Sequence, residues 1–459
     1  MKLPEKAPDW KEILKNSRDE IFGSSYSEIS AIVNKVGNLK EYRYWDKFKY
    51  RYSSESLSPE KAWAILKLNR SGQTKKIPAL DKANNSFGYW LPDSILKELH
   101  QIDVHAAGEI LVDVPHIQSI ERDKYIINSL MEEAIASSML EGAGTTREKA
   151  KEMLRSGRKP KDHAEKMIFN NFQTIKNIKE VINKPLSKEL IFFFYESITK
   201  DTLKNPDSSY RFRKESEDIQ VYDDDGSLLF VPPPAEEIEE RIKALCDYAN
   251  NDEINEFVHP VVKAIILHFW FAYIHPFPDG NGRTARALFY WYVLKKRYWL
   301  FEYLSISRVI LKAPAQYKRA YLYVENDDGD LTYFLYFHLR AIRLSIQEIR
   351  FYLEKEQIKK KQATNLLMKC PNLNMRQCDL LHHALSHVNT VYTIKTYRMV
   401  NRIVHQTART DLRNLVEKGL LEESKRGKTY YFSPVKELSK KIKHIAVNHQ
   451  QNKRVKVTV

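Results

Sequence analysis

A chain of 459 residues, 43% of them hydrophobic, predicts two or three packed domains rather than one. Its formal net charge of +15 points to a polyanionic partner, which concerns association and not fold. Met1 to Trp10 lack the features of a secretory signal, and the most apolar stretch, Ala287 to Leu304, is crossed by Lys295, Lys296 and Arg297. Neither export nor a membrane span is therefore expected, and the expected location is cytoplasmic. Cys246, Cys370 and Cys378 are unevenly placed and have no paired Cys/His spacing for a zinc site, so packing or surface thiols are expected.

Residues 1–119 mix Tyr- and Trp-rich pieces without clear periodicity and read as a separate N-terminal region. From Ile120 onward apolar residues recur at three- and four-residue steps, through Ile126, Leu130, Ile135 and Leu140, predicting a mainly α protein with a core over 120–350. The first helix of that core is expected over 121–142, with Ser137 and Glu141 four apart on one face and Gly142 ending it. Between 218 and 234, β-forming residues flank an Asp-Gly turn and three prolines follow, which predicts a hairpin. An apolar helix from Val261 must stop at His275, because Pro276 and Pro278 cannot continue it, and a new helix is expected to start near Arg283. His259 and His268 precede the motif, and packing or hydrogen-bonding roles are expected for them rather than a metal cluster with His275.

Charged residues 351–373 read as a linker helix. The unit that follows, 374–435, is expected to hold three helices, over Met375 to His387, Ile394 to Arg402 and Gln406 to Lys418. Glu422 to Lys428 would be a turn between two short β pieces. Three helices closed by a β-hairpin is the winged-helix plan. Residues 436–459 read as a basic, frayed tail.

The chemistry concentrates in His275-Pro-Phe-Pro-Asp279-Gly280-Asn281-Gly282-Arg283-Thr-Ala-Arg286. Gly280 and Gly282 let the backbone turn tightly, so that its N–H groups and those of the following helix converge on one anion. Asp279 offers a hard oxygen ligand for Mg²⁺, and Asn281 an amide for a phosphate oxygen. Arg283 and Arg286, on one helix face, suit the outer phosphates. His275, at the loop's entrance, is placed to take a proton near neutral pH. Singly these features are common; their order is not.

That order resembles the Fic family, whose signature His-X-Phe-X-(Asp/Glu)-Gly-Asn-Gly-Arg-X-X-Arg is matched at each defined position from His275 to Arg286. The resemblance continues from about Tyr125 through Ile342, including Tyr210-Arg-Phe-Arg213, although Asp207-Ser-Ser stands where the family usually has Gly before the Tyr-Arg pair. It implies a Fic-type helical bundle that moves AMP from ATP, with Mg²⁺, to a Ser, Thr or Tyr hydroxyl of a protein, itself included among the candidates. His275 would be the base, Asp279 the metal ligand, and Gly280, Asn281 and Gly282 the α-phosphate cradle. Arg283 and Arg286 would hold the outer phosphates, with Tyr317 an aromatic near the nucleotide or a core residue. The related Doc toxins, which transfer phosphate, have Lys in place of Gly282, so Gly282 favours AMP.

Within the same resemblance the hairpin is a flap that pairs with an extended target segment, through Ile219, Val221, Phe230 and Val231. Ser137, Glu141 and Gly142 resemble the family's Ser/Thr-X-X-X-Glu-Gly/Asn inhibitory helix, in which the Glu pairs with the second motif arginine, here Arg286. The C-terminal unit resembles winged-helix DNA-binding domains, with Gln406, Thr407, Arg409, Thr410 and Arg413 outward on the recognition helix; such domains also serve protein contacts and homodimers. Two other readings follow from the same residues. One is a DNA-binding transcription regulator whose Fic core senses nucleotide; the other is a Fic enzyme that removes AMP or transfers another nucleotide.

Overall fold

The computed structural model describes residues 2–17, 30, 34, 42–50, 58–107, 119–208, 210–223, 225–251, 257–368, 373–386, 390–401, 403–427 and 429–445. Cys370 lies outside them. The chain divides into two compact units, Met1–Ile349 and Arg350–Val459. Among the described residues no helix is long and apolar enough to cross a membrane.

The first unit is built on two consecutive helices, Pro260–Ile274 and Asn281–Lys295, which pack on each other. Pro260 at the first helical position and the His259 ring, which accepts from the Val261 amide, start the first of them. Apart from Lys263 and His268 it is apolar on every side, and all but Pro260 and Ala272 are buried, as a central helix requires. Around this pair lie Ser119–Met139, His163–Val181, Lys188–Thr199 and Ile238–Asn250. The first of these ends at Met139, short of the expected Gly142. Gly142 adopts φ +85°, and the bonds Ala143 N to Ser138 O and Gly142 N to Met139 O form a Schellman turn. Gly142 is thus the glycine just beyond the helix end, and Glu141, the residue before it, is the helix's C-cap, four residues on from Ser137.

The N-terminal residues are not a separate region. Tyr44, Trp45, Phe48, Trp63 and Leu66 form one buried cluster with Tyr333 of the core. The strands Lys75–Leu80 and Ser86–Tyr89 pair antiparallel, and Gly88 exchanges backbone bonds with Gly329 and Leu331. A buried polar knot completes the join. Lys67 Nζ pairs with Asp327 at 2.8 Å and Asp330 at 3.8 Å, Tyr333 donates to Asp327, and Tyr42 donates to Asp330. Lone aromatic residues separated by polar ones carry no periodic signal, which is why the sequence reading detached this segment.

The last helix of the core, Thr332–Met368, is 37 residues long. It contains neither Gly nor Pro, so the expected linker helix over 351–373 is its continuation as far as Met368.

In the second unit, helices Met375–Ser386, Ile394–Asn401 and His405–Glu417 pack with a three-stranded antiparallel sheet. Its central strand, Thr429–Pro434, has Leu421–Arg426 on one side and the short Tyr392–Thr393 on the other. Most of the expected turn 422–428 is therefore strand; Gly427, at φ +61°, lets the chain reverse within two residues. The first part of the expected frayed tail, 438–445, is helical, because Leu438 and Ile442, one turn apart, reach the same core as Leu412, Leu415 and Phe432.

Candidate active site

The 260–274 helix closes with His275 in the left-handed region at φ +49°, since the following proline bars another turn. Its Nδ1 donates to Ala272 O at 3.3 Å; a carbonyl can only accept, so the Nε2 lone pair is the free one. Burial pushes the imidazole down to about 4, against the Ala272 bond and the Glu141 and Asp279 charges that would raise it. At neutral pH His275 is an unprotonated base.

The loop beyond is held rigid by Asn281. Its Oδ1 accepts from Phe277 N at 3.0 Å and its Nδ2 donates to Phe277 O at 2.6 Å. The amide thus staples the loop across four residues, and its Nδ2 carries a second N–H beyond the one given to Phe277 O. Phe277 stacks on Tyr195 at 3.7 Å. Gly280, at φ +79°, has Thr199 Cγ2 only 2.8 Å from where a Cβ would stand, so no other residue fits. The next helix starts at Asn281, earlier than expected, with Gly280 as its cap. Its first-turn N–H groups have no intrahelical acceptor and face the loop.

Arg283 and Arg286 meet different surroundings. Arg283 is wholly buried, with Nη1 to Ile198 O at 3.4 Å and Nη2 3.5 Å from Asp279. Its Nε and Nη2 make no hydrogen bond, and burial pulls its pKa down despite the Asp279 and Glu141 charges. Arg286 donates from Nε to Ser137 Oγ at 2.7 Å, and from Nη2 to Ser137 O at 2.9 Å and Glu141 Oε1 at 2.7 Å; its Nη1 is unpartnered. Unmet buried donors cost about 1–3 kcal/mol each, and more when charged. Three such nitrogens beside a helix N-terminus suit the oxygens of a polyanion. Asp279, half exposed, accepts from Gly280 N through Oδ1 at 2.6 Å, which leaves Oδ2 suited to a hard cation.

Glu141 lies on this cradle. Burial pushes its carboxyl up, but the charge and hydrogen bond of Arg286, with Arg283 and His275 behind, bring it below the ordinary carboxylate value. A Cβ on Gly282 would stand 2.2 Å from Glu141 Oε1. Gly282 therefore admits the carboxylate to the place expected for a phosphate, and any larger residue there would displace it.

Tyr317 is joined to His268 at 2.9 Å and to Tyr321 at 3.1 Å, and His268 is driven far down by burial, with His338 and Arg286 adding to it. His259 faces Asp103 at 3.0 Å. Both histidines have hydrogen-bonding roles, and among the described residues no cluster of three or more His, Cys, Asp or Glu could hold a metal.

Val221–Tyr222 pairs antiparallel with Leu228–Phe230, with Val221 opposite Phe230. Ile219 and Val231 lie outside the strands. Phe230 packs on Tyr273, and Val231 is exposed, its carbonyl accepting from Lys82 Nζ at 2.9 Å. In the second unit Gln406 and Thr410 are exposed and Thr407 and Arg409 half-buried. Arg413 lies over the Tyr430 ring and 3.9 Å from Glu423, partly occupied by its own sheet.

Sequence reasoning passed over Glu133 and named Arg213 within the resemblance without giving it a role. Glu133, buried on the 119–139 helix, accepts from Ser307 N at 2.9 Å and from the Ser307 hydroxyl, which fixes the helix that presents Ser137. Arg213 binds the backbone of the motif itself. A charge at a position periodic for the core is the signal that could have found Glu133.

Residues 185–293 match the Fic/DOC family. A probable protein adenylyltransferase of Aquifex aeolicus (strain VF5) is 31% identical over 127 residues, 26% of this chain and 36% of that protein. The protein adenylyltransferase Fic of Nematostella vectensis is 45% identical over 58 residues, 13% of each chain. The chain thus spans little more than a third, at 36%, of the first of these curated relatives and 13% of the second. A solved Fic family protein from Desulfovibrio desulfuricans G20 superposes with a TM-score of 0.50 at 19% identity, over 74% of this chain and 95% of that one, which shows a shared fold. The 275–286 motif and the loop it folds into lie within residues 185–293, the segment that resembles the Fic/DOC family.

Proposed function

We propose that this protein is an adenylyltransferase that moves AMP from ATP to a hydroxyl of a protein, and that Glu141 keeps it switched low. The observation that carries this reading is the pairing of Glu141 with Arg286 over Gly282, beside three buried guanidinium nitrogens that make no hydrogen bond. The site is built for anion oxygens and a carboxylate of the same chain competes for it. The adenylyltransferase names of the relatives support the choice of reaction.

In this reaction the target hydroxyl gives its proton to His275 Nε2 as its oxygen bonds to the α-phosphorus. The bond from that phosphorus to the bridging oxygen breaks, and pyrophosphate leaves toward Arg283 and Arg286. Asp279 would hold Mg²⁺, which supplies neutralisation of phosphate charge. The first-turn N–H groups of Asn281 and Gly282 cradle the α-phosphate. The hairpin at 218–234 aligns an extended target segment by strand pairing, with Ile219, Val221, Phe230 and Val231 lining that register. Tyr317 acts behind Arg286, within the His268–Tyr317–Tyr321 chain, and not as a platform for the base.

With Glu141 on Arg286, the γ-phosphate has no seat and ATP settles with its α-phosphate misaligned. A charge-assisted contact worth roughly 1.5–3 kcal/mol shifts the productive fraction by about ten- to a hundredfold. Glu141→Gly should therefore raise incorporation of α-labelled ATP into lysate proteins or the enzyme itself by that factor. Label that stays at the wild-type level would remove the inhibitory role. AMP removal and transfer of another nucleotide are separated in the same assay, by release of label from modified protein and by comparison of the four nucleoside triphosphates.

The second unit supports a second activity. Its three helices and sheet suit a winged helix, in which Gln406, Thr407, Arg409 and Thr410 meet base edges or phosphates and Lys425 follows the backbone. Duplex DNA should bind it with an affinity that falls steeply between 50 and 200 mM salt, by about tenfold or more. Binding that ignores salt, or assembly into dimers without DNA affinity, would assign this unit to protein contacts instead.

A further inference from the structure

Arg213 belongs to a segment that the reaction just described leaves without a task, yet it touches the catalytic backbone directly. It is 7% exposed. Its Nε donates to the carbonyl of His275 at 2.8 Å, its Nη2 donates to the carbonyl of Pro233, and its own amide donates to Pro276 O at 2.8 Å. One side chain thus joins the histidine to the exit of the 218–234 hairpin, while its backbone joins the entry of that hairpin to the same loop. Two residues on, Glu215 accepts from the Ala235 amide at 2.8 Å, a second rung across the hairpin's neck.

One of these bonds is made by the carbonyl of a residue whose own backbone is strained. A non-glycine residue in the left-handed region at φ +49° costs about 1–2 kcal/mol, and His275 cannot relax toward a helical φ without leaving Arg213. Arg213 is also an expensive residue to bury for support alone: its side-chain partners are carbonyl oxygens, not a carboxylate, and burial lowers its pKa although Glu215 and Glu217 oppose this. A neutral donor such as Gln would tie one carbonyl; only the planar guanidinium reaches both His275 and Pro233 in fixed geometry.

We propose that Arg213 is the positioning residue for His275: it locks the histidine backbone in its left-handed conformation and couples that conformation to the neck of the target-binding hairpin. The inference rests on the proposed role of His275 as the base. It predicts that seating a target on the hairpin and aiming Nε2 are one mechanical event, since both pull on the same guanidinium.

The test uses full-length Arg213→Gln and Arg213→Lys variants in the Glu141→Gly background, each with ¹⁵N-labelled histidine, the His275 ring signals being assigned by their loss in His275→Ala. Arg213→Gln should lower kcat on the order of a hundredfold, as expected for a misplaced reacting group, with KM for ATP unchanged. Its His275 signals should move away from the pattern of an Nδ1–H tautomer bonded to a carbonyl, or split into two sets. Arg213→Lys, which keeps one donor and the charge, should fall between the two and serves alone if the Gln variant does not fold. His275 signals identical to the parent's in a folded variant overturn the proposal, as does a loss confined to KM. If the Glu141→Gly parent itself transfers no AMP, the transferase reading fails, and the ring signals still decide what Arg213 does.

Discussion

Two places in the first unit bury charge, and they do so on opposite terms. In the knot that joins the N-terminal segment to the core, Lys67, Asp327, Asp330, Tyr42 and Tyr333 are partners of one another. In the 275–286 loop the arginines are buried as deeply, but Arg283 Nε and Nη2 and Arg286 Nη1 are left without acceptors. Folding meets the carboxylates of the knot and leaves one guanidinium nitrogen beside it, Arg70 Nε, without a hydrogen bond; the loop leaves three such nitrogens, which an anion would complete. Glu141 fills part of that vacancy from within the chain, so the resting site sits between the two cases. The contrast separates scaffold from site more sharply than burial does, since both are buried.

The contrast can be broken from either side. The largest expected effect is at the loop: His275→Ala, in the Glu141→Gly background, should cost about 10²–10⁴-fold in the initial rate of AMP transfer, with the thermal transition unmoved. A small loss would give the proton to another acceptor. Next is the knot. Lys67→Met strands Asp327 and Asp330 as buried like charges, and breaking such a pair from one side costs about 3–5 kcal/mol, read as a lower midpoint in denaturant unfolding. If the midpoint stays put, the knot is not what holds the N-terminal segment.

The smallest effect is in the pH profile. Since burial holds His275 at about 4, folded protein binds fewer protons there than the unfolded chain. Its contribution to stability is complete above the unfolded value near 6.5 and is lost as pH falls from there toward 4. Activity should follow the folded value: kcat/KM of the Glu141→Gly form should show no protonation loss between pH 7.5 and 6, with an acid limb near or below 4, because Glu141 favours the imidazolium and its removal lowers the pKa further. A limb near 6.5 would mean that His275 is solvated in the working enzyme.

Much of the site was legible because its chemistry is contiguous. His275 to Arg286 lie within one loop and one helix turn, where prolines and glycines act through local sterics, and the expected hairpin and helices of the second unit follow from periodicities of two and three to four. Misreading falls where partners are distant: the 1–119 region was expected to stand apart, and its described residues pack on Tyr333.

By itself the sequence determined the identity and order of the reactive groups, since local backbone sterics and signature spacing need no knowledge of distant residues. Only the tertiary structure decided which of them are left wanting a partner. That Glu141 reaches Arg286 across 145 positions, that Gly282 is bare so that a carboxylate can lie on it, and that Arg213 holds the histidine from 62 positions away are consequences of packing. Burial there removes water as the alternative partner for each charge.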